Sequence, residues 1–132
     1  MSEKIEYSLN VQVFGGPRIF KSNVLEVDAY DKFEVVVPTD GTVNVTVQPG
    51  EASNVQFVLI DSNNYDNLTC VIDPTASGST EVGGPQFRMY YPLMLVGQGA
   101  VSLLGSKQKE FRFVNEADYD ASVVILIGRK AT

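Results

Sequence analysis

The sequence predicts an all-β fold, an antiparallel β-sandwich or jelly roll of about ten short strands. Three observations point there. In the first segment Ile5, Tyr7, Leu9, Val11 and Val13 alternate with Glu6, Ser8, Asn10 and Gln12, the two-residue period of a strand with one buried face. Similar short runs are separated throughout by Gly, Pro, Asn and Asp, the residues that turn a chain. No segment carries the period of an amphipathic helix. The chain has 132 residues, which suits one domain with one core, spanning 1–132.

Gly15-Gly16-Pro17 ends the first strand, since glycine permits positive φ and proline removes a ladder donor. The next strand is expected near Ile19 to Ala29. Phe33 to Val37 and Val43 to Val47 flank Pro38-Thr-Asp40-Gly41, and Asp-Gly between two alternating runs predicts a β-hairpin with a type I′ turn. Val55 to Ile60 is apolar apart from Gln56, as in a strand covered on both faces. Leu68 to Ile72, Phe87 to Val96, Ala100 to Leu104, Glu110 to Asn115 and Ser122 to Gly128 complete the expected strands. Gly-Gly-Pro recurs at 83–85, which reads as repeated turn chemistry rather than duplication.

Composition narrows the function classes. Ten Lys and Arg against 16 Asp and Glu leave a net charge of −6, which repels a phosphate backbone, so nucleic acid is not an expected partner. The charged start Met1-Ser-Glu-Lys-Ile-Glu6 is not a secretory signal. No run approaches a membrane span. Cytoplasmic synthesis is therefore the expectation, and the sequons at Asn44 and Asn67 read as chance. Histidine is absent and Cys70 is the single cysteine, which argues against His-dependent catalysis, zinc and an internal disulfide. No cofactor or metal is expected, and Cys70 is expected in the core.

Three groups of residues could still carry chemistry. Glu26, Asp28, Asp31 and Glu34, or Glu116, Asp118 and Asp120, could supply the carboxylate pair of a glycoside hydrolase. Such an enzyme is the third alternative, and solvated strand ends are the plainer account. Asp61, Asn63, Asp66 and Asn67 offer oxygens suited to calcium, although the glycine and closing glutamate of an EF-hand are missing. A carbohydrate- or calcium-binding module using loops 61–67 and 73–85 is the second alternative. Val96-Gly-Gln-Gly-Ala100 lacks the Lys-Ser/Thr of a phosphate loop and reads as a bulge or tight turn.

The most unusual feature is missing charge. Arg88 is the one charged residue among the 22 from Gly84 to Gly105, and Glu51 the one between Val43 and Ile60. Depletion at both alternating sets of a strand suggests that its second face is covered too, as at a subunit interface. Arg88, Met89, Tyr90, Tyr91 and Leu93 are the candidate interface residues, with one set expected in the core and the other in the contact. An acidic, cysteine-poor β domain with such a stretch resembles the small β-sandwich proteins of phage particles, the capsid decoration or cement subunits. That resemblance implies a non-catalytic structural protein that forms a homo-oligomer, a trimer being one candidate, and joins a larger protein shell in a virion.

Overall fold

The computed structural model describes residues 3–47, 55–63, 66–74, 84–104 and 110–130. Among these, ten strands run in order: β1 (Glu3–Gln12), β2 (Arg18–Val27), β3 (Ala29–Val37), β4 (Thr42–Thr46), β5 (Val55–Ser62), β6 (Leu68–Ile72), β7 (Gln86–Arg88), β8 (Leu93–Val96), β9 (Glu110–Asn115) and β10 (Ala121–Arg129). They form a two-stranded sheet β1-β2 and two four-stranded sheets, β3-β10-β5-β8 and β4-β9-β6-β7. All pairs are antiparallel.

The pairing is nested. β6 pairs with β7, β5 with β8, β4 with β9 and β3 with β10, so the chain from β3 onward behaves as one long hairpin closed between β6 and β7. Further pairing of β10 with β5 and of β9 with β6 rolls that hairpin into two facing sheets. This is a jelly roll, one of the two architectures expected from the sequence.

Alternation decides which side chains meet inside. In β9, Phe111 and Phe113 are fully buried while Arg112 and Val114 are half-exposed; β10 alternates likewise through Val123, Ile125 and Ile127. The register aligns Phe33, Ile125, Ile60 and Leu93 across one sheet, and Val43, Phe113, Cys70 and Phe87 across the other. All eight belong to one core or pack against it. Full burial of each large side chain is worth about 1.5–3 kcal/mol.

Three local expectations are corrected. Asp40-Gly41 does not close a hairpin, because β3 and β4 lie in opposite sheets. Gly41 N donates to Pro38 O at 2.8 Å, and Asp40 has φ 53° whereas Gly41 is not in the positive region. That is the pattern of a type II turn, not type I′. The turn is present, but the flanking strands pair with β10 and β9 rather than with each other.

Phe87 to Val96 is also not one strand. β7 belongs to one sheet and β8 to the other; Tyr90 sits at φ 52° and Pro92 lacks a donor where the chain crosses. Ala100 to Leu104 is not a strand either. Gly97, at φ 91°, opens the short helix α1 (Gln98–Val101), followed by a 3-10 turn at Ser102–Leu104. Val101 and Leu104, three residues apart, both enter the core, a spacing too brief to register as helical periodicity in the sequence.

A buried amide ties the corners of the roll. Asn115, 1% exposed, is the one buried polar side chain among the described residues. Its Nδ2 donates to the carbonyls of Val37 at 3.1 Å, Tyr119 at 2.8 Å and, more weakly, Pro38 at 3.4 Å, while its Oδ1 accepts from Ala117 N at 2.9 Å. Its own backbone N–H donates to Gly41 O at 2.9 Å. The end of β3, the β3–β4 turn and the β9–β10 loop are thus held by one residue. Asn115→Ala is expected to destabilise the protein by about 2–3 kcal/mol, because several partners are left unsatisfied. Asn115→Asp should cost at least as much, since a carboxylate offers no donor to three carbonyls. Urea unfolding measures both, and an Asn115→Ala midpoint equal to the parent's would show that the tether is dispensable.

Candidate functional site

The two-stranded sheet forms an arm. Its register places Ile5 with Leu25, Tyr7 with Asn23, Leu9 with Lys21 and Val11 with Ile19 on one face. The other face carries Lys4 with Glu26, Glu6 with Val24, Ser8 with Ser22, Asn10 with Phe20 and Gln12 with Arg18. One face is therefore largely apolar and the other largely polar. The tip closes tightly, with Val13 N donating to Pro17 O at 3.0 Å, Gly16 N to Val13 O at 2.8 Å, and Gly15 at φ 71°. Arg18 braces the polar face, its Nε donating to Asn10 Oδ1 at 3.1 Å and its guanidinium 5.7 Å from the centre of the Phe20 ring.

Only the root of the arm packs on the roll. A Cβ at Gly128 would lie 2.7 Å from Ile5 Cδ1 and 3.2 Å from Val27 Cγ1, so the missing side chain lets the arm settle on the outer face of β10. Ile5 and Val27 there help to bury Phe57, the outward residue of β5. The two-sided cover expected for β5 is therefore met only at Phe57, whereas Leu59 stays half-buried and Asp61 exposed on its outer face. Beyond Tyr7 the apolar face opens to solvent: Val11 is 56% exposed, Ile19 66% and Phe14, at the tip, fully. The buried face expected for the first strand is corrected accordingly. With ten residues per strand the arm is roughly 30 Å long.

The outer face of the β3-β10-β5-β8 sheet is a second broad surface. Its register gives three rows: Tyr30, Gly128, Phe57 and Val96; Lys32, Leu126, Leu59 and Met94; Glu34, Val124 and Asp61. Leu126, Leu59, Met94, Val124 and Val96 are half-buried. Lys32 and Glu34 form an ion pair at 3.0 Å. At the arm's root, Glu3, Lys4, Ile5, Tyr30 and Leu126 line an open cleft of about 310 Å³.

The residues singled out from the charge-free stretch divide differently from the expected alternation. Met89 is buried, and Leu93 packs against the core. Tyr90 and Tyr91 are both exposed, Tyr91 at 78%, because the turn between the sheets turns both outward. Arg88 pairs with Glu116 at 3.1 Å and donates to Asp66 O at 3.3 Å.

Several of the acidic groups are engaged in structure. Asp31 pairs with Arg129 at 2.6 Å, and Asp120 accepts from Thr39 N at 3.1 Å. Glu26 lies opposite Lys4 on the arm. Asp28 N bonds Arg129 O at 2.9 Å at the junction of β2 and β3, and Asp118 is exposed in the β9–β10 loop. Asn63 Oδ1 accepts from Ser122 N at 2.8 Å, which closes the loop onto β10, and Asp61 Oδ1 accepts from Ser62 N at 3.0 Å. Asp73 Oδ1 accepts from Glu110 N at 3.0 Å. Residues 64–65 and 75–83 of the loops proposed for ligand binding lie outside the described residues. Among the described residues no three His, Cys, Asp or Glu side chains gather as a metal site, and no helix is long and apolar enough to cross a membrane.

No protein-family model matches this sequence, and no curated protein is significantly similar to it.

Cys70 lies in the core as expected. Burial pushes its thiol up from the usual 9.0 to about 12, because the thiolate would lose its hydration there. A raised folded-state pKa means that the neutral thiol's contribution is complete below pH 9.0 and is lost as pH rises from there towards about 12. Native protein is therefore expected to resist alkylation at neutral pH and to react fully once unfolded, as read by mass spectrometry. Equal rates in the two states would place Cys70 outside a closed core.

Proposed function

We propose that the chain is a non-catalytic assembly subunit, a jelly roll whose arm joins it to its neighbours in a homo-oligomer. In a fuller form of this reading the oligomer decorates or cements a larger protein shell such as a virus particle. The observation that carries it is the arm's open apolar face. An isolated two-stranded ribbon is marginal in water, and this one extends its apolar side past the body that could cover it.

The size of the face supports association. Leu9, Val11, Val13, Phe14 and Ile19 together expose on the order of 500 Å² of apolar surface, against the ~800 Å² per partner of a standard interface. Tyr90 and Tyr91 add exposed aromatic area at the sheet crossing, the residue type enriched at contacts. Jelly rolls recur in viral shells but also in lectins and cupins, so the fold alone does not choose among them. The arm favours assembly, and the engagement of Asp31, Glu34 and Glu116 with cations disfavours the carboxylate enzyme.

Size-exclusion chromatography with light scattering tests the reading. The parent should have the mass of several chains, and a Val11→Glu, Ile19→Glu double variant should fall to one chain, since charges placed in the contact would have to be desolvated. Both changes sit on the projecting part of the arm, so circular dichroism and the unfolding profile of the roll should persist. A parent that remains a single chain across the micromolar range would remove self-assembly as the function.

A further inference from the structure

Resting on that assembly reading, we propose that the arm of one copy lies across the outer face of the β3-β10-β5-β8 sheet of a second copy. The arm's root already displays this mode of contact within the chain. Ile5 and Val27 cover Gly128 and Phe57 on that sheet, and Tyr7, Leu9, Val11 and Ile19 continue the same face outward from them. Leu9, Val11 and Ile19 are exposed in their own chain, so this part of the face does not lie on its own sheet.

The receiving surface fits in size and chemistry. The row Lys32, Leu126, Leu59 and Met94 crosses four strands, a width of about 14 Å at the usual strand spacing. Leu9 to Val13 spans about the same distance along an extended strand, ~14 Å. Charge is complementary as well. Lys21, opposite Leu9, is the one cation on the arm's apolar face, and the receiving edge beside Leu126 and Leu59 carries Asp61 together with the Lys32–Glu34 ion pair, so that anions outnumber cations there by one. For a chain of net charge −6, copies repel at a distance, and a cation delivered to that acidic edge sets both orientation and register.

Each copy has one arm to give and one sheet face to receive, so the contact is head-to-tail and closes into a ring when the rotation permits. A copy would thereby contribute to two contacts. Burying the arm's apolar area of about 500 Å² against the half-buried Leu59, Met94, Val96, Val124 and Leu126 gives a contact of about 1,000 Å² in total, near the lower limit for a specific interface.

Disulfide trapping tests this geometry, because a bridge forms only when the two Cα atoms approach within about 7 Å. Chains carrying Val11→Cys and chains carrying Leu59→Cys are co-expressed and oxidised; buried Cys70 contributes little background. Met94→Cys replaces Leu59→Cys should the latter fold poorly. The expected result is a covalent dimer containing one chain of each kind, abundant in the mixture and scarce with either chain alone. Adding Lys21→Glu to the arm chain should lower its yield severalfold, and Asp61→Lys on the receiving chain should restore it. If Val11→Cys chains cross-link to one another while no mixed dimer forms, and the parent has the mass of several chains, arms meet arms: the docking mode is overturned and assembly stands. A parent of single-chain mass with no cross-link in any combination overturns both.

Discussion

Two sets of alternating side chains must share one interior, and the rest of the molecule depends on that constraint. Phe33, Ile125, Ile60 and Leu93 face inward from one sheet, and Val43, Phe113, Cys70 and Phe87 from the other. Because a one-residue slip would turn an entire strand's apolar set outward, the core determines register as well as burial. The nested order follows from the same requirement, since β9 and β10 carry the most continuous inward sets and each pairs on both edges. Asn115 then closes the corner where the chain changes sheets, supplying a donor to carbonyls at the end of β3 and in the β9–β10 loop.

The arm is the part that this core does not satisfy. It takes hold of the roll through the space left by Gly128, where a side chain would collide with Ile5 and Val27. From there outward, among the described residues, its two strands form ladder hydrogen bonds with each other alone. A ribbon of two strands has no second layer, so beyond the root its apolar side stays exposed at Leu9, Val11 and Ile19. The same alternation that makes a stable interior in β9 and β10 therefore makes an open surface in β1 and β2.

That contrast bears on function more than the fold name does. Carboxylates that might have served catalysis are spread among ion pairs and turn hydrogen bonds at separate places: Asp31 with Arg129, Glu116 with Arg88, and Asp120 with Thr39. They stabilise corners and strand ends. Most of the arm's apolar residues, by contrast, lie on one continuous face, with Phe20 and Val24 on the other. That surface is the basis of the assembly proposed above.

The all-β class, the inward position of Cys70 and the boundaries of β6, β9 and β10 to within a residue were legible in the sequence. Those properties follow from composition and two-residue periodicity, which are local. The tertiary structure alone decided partners. Asp40-Gly41 and Phe87 to Val96 read as continuous local units, yet long-range pairing with β9, β10, β5 and β6 places their halves in opposite sheets. The candidate site was only partly legible: the missing charge between Gly84 and Gly105 drew attention to Tyr90 and Tyr91, which are exposed, but also to Met89 and Leu93, which serve the core. The arm left no separate signal, because Leu9 and Val11 alternate with polar residues just as Phe111 and Phe113 do. Alternation states that a strand has an apolar face; whether anything covers that face depends on where the rest of the chain lies.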